Sequence, residues 1–523
     1  MNKNKKIFFC YIVITTIIAG ISGCSKFLDR KPLSATLDDL NQGTLEAQSL
    51  GLYNQLTYDA GFSTLPWLDF NSIRDDDAQK GSSTTDGAEI NTEFETFQYT
   101  KDDWATNTYW GDHYSMINAA NKELYYADSL KLSDENSLRN VGEARFFRAY
   151  SFFELVKAYG DIPLINYYYT NAKDGIKPKS PAADIYKQID SDLVVAAKLL
   201  PLNWKNASGT NTYPGRLTSG AALTLRAQTY LFRATPNWDS VIALCSQVEL
   251  TGQYSLTHNF VDIWKDGLNG EGKNGPESIF EMQALLGQNG SNDYGSFWGV
   301  CQNVRQGGAP AVWNLGWGWN VPTQVLQNAW DSTDPRKAST ILYSGQYDGG
   351  PATGGYGSTL PNYAPGAGLD QPFWSKKVYS DPNMRSYTGT VTSGYPDWIN
   401  HRILRYADVL LMLAEAYNEK NNGPKAAFYL EQVRDRASGN LGPTRTIVPP
   451  ITYQDQSQMR TAIKNERRWE FAMEGYRFYD LVRWGDASTA LGSLGYQSKN
   501  ALYPIPQPII TQFGGVLVQN PNY

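Results

Sequence analysis

The sequence predicts a mainly α-helical chain, a scaffold of paired helices broken by one long insertion rich in glycine and tryptophan. Three observations point there. Apolar residues recur at three- and four-residue spacing through most of 45–251 and 401–485, the period of helices with one buried face. A short pattern, Ala-x-small-aromatic, recurs as Ala149-Tyr150-Ser151-Phe152, Ala227-Gln228-Thr229-Tyr230 and Ala414-Glu415-Ala416-Tyr417. Small residues let two helices approach closely while the ring fills the adjoining groove, the logic of tetratricopeptide-type pairs, whose regular period is broken here by insertions. Residues 252–400 differ in kind: 287–320 hold eight Gly, four Trp and two charged residues, and 346–370 hold seven Gly and three Pro. No amphipathic helix of any length fits there, so the stretch reads as ordered loops with a few short strands.

Taken from the N-terminus, Lys3, Lys5 and Lys6 precede an apolar run, Ile7 to Ile21, too short to span a bilayer and suited to a secretory leader. The run ends in Ile21-Ser22-Gly23-Cys24, which resembles the bacterial lipoprotein signal, with Cys24 acylated after removal of 1–23. That removal takes three lysines and no acid, moving the formal charge from −6 to −9. Residues 24–44 then read as a lipid-anchored tether and 45–523 as one domain. Helices are expected at 45–58, 110–130, 137–159, 181–200, 217–233, 237–250, 402–420, 424–438 and 456–483. Ser137 is a candidate N-cap, Gly160 a stop, and Pro236 and Pro424 sit in first turns, where the missing N–H does no harm. Residues 486–523 form a C-terminal segment.

Composition excludes several classes. With 15 Trp, 34 Tyr and 20 Phe the chain is too aromatic for wholesale disorder. No run of Lys or Arg follows residue 6, against nucleic-acid binding. Three His and four Cys exclude a Cys/His zinc framework and a disulfide-stapled scaffold. No His-Glu-x-x-His or Gly-x-Ser-x-Gly occurs, and no catalytic residue or cofactor is assigned.

The binding candidates lie in the insertion. Trp298, Trp313, Trp317, Trp319 and Trp330 fall within 33 residues, where the chain average gives about one. In an extended segment Trp313, Trp317 and Trp319 share a face, and the glycines beside them are expected to leave ring faces open. An open indole is a flat apolar platform whose natural complement is a sugar ring, with Arg305 and Asn314, joined by Asn303 and Asn320, binding the hydroxyls at its rim. A second group, Trp67, Asp69, Asn71, Arg74 and Asp75-Asp76-Asp77, suits hydroxyl recognition or calcium, although the acids lack the spacing of a calcium-binding loop. Trp374 belongs to a third, looser group with Tyr363, Arg385, Tyr395 and Trp398.

Toward the C-terminus the chain reads Asn465-Glu466-Arg467-Arg468-Trp469-Glu470-Phe471, then Glu474-Gly475-Tyr476-Arg477-Phe478-Tyr479-Asp480-Leu481-Val482-Arg483-Trp484-Gly485. With Arg148-Ala149-Tyr150, Tyr159-Gly160-Asp161-Ile162-Pro163-Leu164, and the close at Tyr503-Pro504-Ile505-Pro506 and Gln519-Asn520-Pro521-Asn522-Tyr523, this resembles the SusD/RagB family of outer-membrane nutrient-binding lipoproteins. The family usually has Gly where Asn522 stands. The resemblance implies a helical scaffold on the surface of a Gram-negative cell, a lid over a SusC-like TonB-dependent transporter, and non-catalytic capture of glycan, or sometimes peptide. The expected function is therefore glycan binding and delivery, with an oligopeptide-binding member and an α-helical glycoside hydrolase as the alternatives.

Overall fold

A computed structural model of the chain describes residues 44–267, 272–285, 295–305, 313, 315–331, 333–362, 371–387 and 397–523. Ten principal helices lie at or near the expected places: α1 Thr44–Tyr58, α2 Trp104–Ser129, α3 Glu135–Tyr159, α4 Ala182–Leu199, α5 Ser219–Leu231, α6 Trp238–Leu250, α7 Tyr406–Glu419, α8 Gly423–Ala437, α9 Gln456–Glu470 and α10 Arg477–Trp484. The chain divides after Ala47, and Gln48–Tyr523 forms one compact unit. Among the described residues no helix is long and apolar enough to cross a membrane. Cys24 lies outside the described residues.

Caps set several helix starts one to three residues from where spacing placed them. Asp134, not Ser137, caps α3, its carboxylate accepting from the Ser137 N–H at 3.0 Å. Asn237 caps α6, which leaves Pro236 ahead of the helix, whereas Pro424 does occupy the first turn of α8. Gly160 ends α3 at φ +74°.

From α2 to α8 each helix packs on the next, and α9 packs on α7 and α8. The three tetrads sit at these seams in α3, α5 and α7, where Ala149, Ser151, Ala227, Thr229, Ala414 and Ala416 are fully buried. Although 252–400 separates them in sequence, α6 and α7 are neighbours, so the insertion leaves the stack and returns to it. Among the described residues its strands enter three two-stranded antiparallel ribbons, two of them completed from outside the insertion: β1 (Ala78–Gly81) with β3 (Trp319–Pro322), β2 (Ser278–Met282) with β6 (His401–Arg405), and β4 (Ile341–Tyr343) with β5 (Phe373–Ser375).

Two expectations are corrected. The start of the helix expected at 402 is the strand β6, because β2 brings a partner edge from the insertion. The helix expected over 456–483 breaks at Phe471–Tyr476, where Met473 and Gly475 adopt φ of +66° and +80°. A Cβ on Gly475 would lie 2.5 Å from the Trp67 ring; only glycine admits both the turn and that ring.

The turn is encased in charge. Five buried carboxylates (Glu277, Asp334, Glu466, Glu470, Glu474) meet five buried cations (Arg336, Lys377, Arg405, Arg434, Arg436). Arg405 reaches Glu474 at 2.8 Å and Glu470 at 3.0 Å, Arg336 reaches Glu470 at 3.1 Å, and Arg434 reaches Glu466 at 2.8 Å. Lys377 donates to Glu474 at 2.7 Å and to the Glu470 carbonyl at 3.0 Å, while Arg436 bridges Glu470 and Glu277. Burial alone would raise the Glu470 carboxyl, but Arg436, Arg405, Arg336 and Lys377 hold it far below the usual carboxylate range. Burial likewise pulls Lys377 down to about 8 against the opposing pull of Glu474.

The C-terminal segment closes the other end of the stack. Phe70 lies between the rings of Tyr109 and Tyr503, at centroid distances of 4.0 and 3.7 Å. Asn520 donates to the carbonyls of Tyr159 and Tyr503 at 2.9 and 2.7 Å.

Glu470→Gln leaves three buried guanidiniums short of a partner, and we expect a loss of about 3–5 kcal/mol in urea unfolding. Asp184→Asn, which breaks an exposed pair with Lys187, is expected to change stability by less than about 1 kcal/mol.

Candidate functional site

Most of the tryptophans expected as platforms are core. Trp298 stacks on His401 at 3.8 Å and 13°, and Trp67 abuts both edge-on at 4.9 and 4.7 Å. Trp319 is buried against Gly87, where a Cβ would lie 2.4 Å from its ring. Trp313 and Trp374 pack with Val304, Leu315 and Tyr379 in a second core, and Trp330 is buried in a third. Adjacent glycines thus bring other groups onto the rings instead of uncovering them.

The acidic group is also interior. Asp69 is completely buried and, among the described residues, its carboxyl oxygens have no hydrogen-bond partner; burial, reinforced by Asp103 and Glu93, raises it well above the usual range and so favours its neutral form. Arg74 is sealed between rings, its guanidinium 3.5 Å from the Phe478 centroid and 4.0 Å from that of Tyr503, with Nε donating to the Phe70 carbonyl at 3.1 Å. Asp76 and Asp77 pair with Arg468 and Arg477, and Asp75 accepts from the N–H groups of Asp77 and Ala78 at 2.7 and 2.9 Å. These acids tie the first part of the chain to α9 and α10 and form no calcium loop. Asn303 and Asn320 are buried too, engaging Val378, Ser380 and Gln302. Asn314, Tyr363 and Tyr395 lie outside the described residues.

Arg305 and Trp317 remain, and the β1–β3 ribbon brings them together. Trp317 is half-buried and lies beside the half-buried Phe297 at 5.7 Å and 31°. Arg305 Nη1 donates to Asp86 Oδ2 at 2.7 Å, to Ser82 Oγ at 2.6 Å and to the Trp317 carbonyl at 3.3 Å. Below, Lys80 spends its ammonium protons on the carbonyls of Gly81, Ser83 and Asp86 at 2.8, 2.9 and 3.2 Å, over the buried Trp319. A buried ammonium thereby fixes the shape of the 81–86 turn, and that turn presents Ser82 and Asp86 to Arg305. The result is a half-open face with an aromatic edge, a guanidinium and a carboxylate, the last two held from beneath by the buried Ser82 hydroxyl: a donor and an acceptor for sugar hydroxyls beside an apolar ring.

Residues 26–231 match a family model described as "Starch-binding associating with outer membrane", and 276–501 match the SusD family model. The chain belongs to the SusD/RagB family. Over its full length it is 26% identical to the SusD-like protein P2 of Formosa agariphila, also covered in full. A solved structure titled a laminarin binding SusD-like protein is 27% identical, with a TM-score of 0.71, covering 92% of this chain and 100% of its own. Surface glycan-binding protein A from Bacteroides thetaiotaomicron, solved with laminarihexaose, shares the fold at 21% identity and a TM-score of 0.72, with 92% and 100% covered.

In this SusD-family chain the motif residues are structural throughout. Glu466, Glu470 and Glu474 hold the charged interior, Arg467 reaches Asp408 and Asp480 at 2.6 and 2.9 Å, and Arg483 reaches Glu415 at 2.6 Å. Sequence reasoning missed Ser82, Asp86 and Phe297. No spacing signals an Arg305–Asp86 pair 219 residues apart, and only the antiparallel register, which sets Gly81 opposite Trp319, makes it visible.

Two outcomes follow from these placements. Trp319→Ala is expected to cost about 3–5 kcal/mol in urea unfolding, and Trp317→Ala less than about 2 kcal/mol. Burial, with Arg402 beside it, pulls His401 down to about 3. Between about pH 6.5 and pH 3 the unfolded chain therefore takes up a proton that the folded chain refuses, and stability falls with acidification by up to about 1.4 kcal/mol per pH unit. His401→Phe should flatten that slope between pH 7 and pH 5 in urea titrations, with the contribution of the similarly buried His113 left in both proteins.

Proposed function

We propose that this chain is a non-catalytic, lipid-anchored surface protein that captures polysaccharide or oligosaccharide and passes it to a SusC-like TonB-dependent transporter. The observation that carries the reading is the half-open face of Trp317, Arg305 and Asp86, set in a SusD-family frame. Its chemistry suits a neutral, hydroxyl-rich ligand, and the 27% identical relative is titled as binding laminarin. The leader ending at Cys24 supports acylation and anchoring. Of the carboxyls that burial raises, Asp69 and Asp75 are sealed in the interior, out of reach of a glycosidic bond. A single shallow face binds weakly, and anchoring beside a transporter compensates through effective concentration.

Native gels cast with a panel of polysaccharides test this. The wild-type chain is expected to be retarded by one glycan, and Trp317→Ala and Arg305→Ala to lose at least about tenfold in affinity with unchanged melting temperature. Retardation by none of them, or sugar release lost on mutating one carboxylate, would overturn the reading.

A further inference from the structure

We infer that the end of α2 and the α3–α4 connection form a second carbohydrate-binding site, separate from the Trp317–Arg305 face and built from tyrosine. The inference rests on the glycan-binding reading above and extends it to a different part of the chain.

Tyr125, Tyr126, Tyr167, Tyr168, Tyr169 and Lys177 line an open groove of about 650 Å³, within the size range of small-ligand sites. The rings form a shelf of two groups: Tyr125 lies 5.7 Å from Tyr126 and 5.6 Å from Tyr168, and Tyr126 lies 6.4 Å from Tyr168, while Tyr167 lies 6.5 Å from Tyr169. Tyr125 is 53% exposed and Tyr167 37% exposed, a large aromatic area to leave in water on one patch.

The shelf is rigidly supported from within. Asn121 Nδ2 donates to the carbonyls of Ile165 and Tyr167 at 2.8 and 3.0 Å. Arg148 Nη1 donates to Asn121 Oδ1 at 2.8 Å and to the Asn166 carbonyl at 3.2 Å, while its other nitrogens hold the buried Asp192. Tyr167 Oη donates to the Asp174 carbonyl at 2.6 Å. Gly175 lies under Tyr169, where a Cβ would be 2.8 Å from the ring. Binding therefore needs little reordering of the loop, which lowers its entropic cost.

The lining selects the ligand. Among the described residues it contains tyrosine, Thr170, Asp174 and Lys177, with no aliphatic side chain, phenylalanine or tryptophan. The core of a protein interface mixes aromatics with methionine and other apolar side chains, whereas rings rimmed by hydroxyls match the flat faces and hydroxyl edges of sugars. One carboxylate and one ammonium leave the lining without net charge, so the ligand class is an uncharged oligosaccharide. A chain long enough to touch both sites gains by effective concentration what each site lacks alone.

The test uses the full chain as wild type, Tyr125→Ala/Tyr168→Ala, Trp317→Ala and the triple variant, in native gels cast with laminarin, starch, xylan and galactomannan. We expect the tyrosine variant to melt as wild type and to need about three- to tenfold more of the retarding polysaccharide, and the triple variant to show no retardation. If the double variant melts early, Tyr125→Ala alone carries the comparison. Wild-type retardation by the tyrosine variant, with loss in Trp317→Ala, would overturn the second site and leave the first standing. A tyrosine variant that keeps full retardation but no longer co-purifies with an outer-membrane protein would overturn it in favour of a protein interface. Retardation of no protein by any polysaccharide would overturn both readings.

Discussion

The charged interior around Glu470 is the constraint on which the rest of the structure depends. Its carboxylates come chiefly from α9 and the turn after it, and its cations from α8, β6 and the insertion, with Arg336 and Lys377 supplied by the insertion. Charges removed from water must find their counter-charges or pay a heavy desolvation cost, so each partner can occupy only one place. A helical stack alone would leave a loop-rich stretch of this length free to choose among many arrangements. The cluster removes that freedom, and the β2–β6 pairing does the same for the backbone.

The same economy governs the first part of the chain. Asp76 and Asp77 meet Arg468 and Arg477, while Arg74 is clasped by aromatic rings from α10 and the C-terminal segment. The β1–β3 ribbon and the 81–86 turn hang directly from this anchorage. The fixed separation between Trp317, Arg305 and Asp86 in the candidate face is thus delivered by residues outside it.

The helical half of the fold was legible because amphipathic period and helix-seam chemistry are local. The tetrads at Ala149, Ala227 and Ala414 lie where helices touch, and the boundary errors at Ser137 and Pro236 amount to a choice between neighbouring caps. The break at Met473–Gly475 was hidden because Trp67, the ring that requires it, is about 400 residues away in sequence. Of the candidate face, Arg305 and Trp317 were the residues the sequence singled out. Counting tryptophans finds an aromatic-rich region but cannot tell a ring that faces solvent from one that another ring or a lysine covers. Trp298 against His401 and Trp319 beneath Lys80 are the second kind. Asp69 and Arg74 misled for the same reason, since a polar side chain near tryptophan reads alike whether it meets a sugar or a core.

If buried charge fixes the insertion on the helices, hydrogen–deuterium exchange should reveal it directly on replacing Glu470 with Gln. Faster exchange is expected at β2, at the helix bearing Arg336 and around Lys377, with α2 and α3 unchanged. Loss of protection confined to α9, or spread evenly over every helix, would contradict the claim that this cluster positions the insertion.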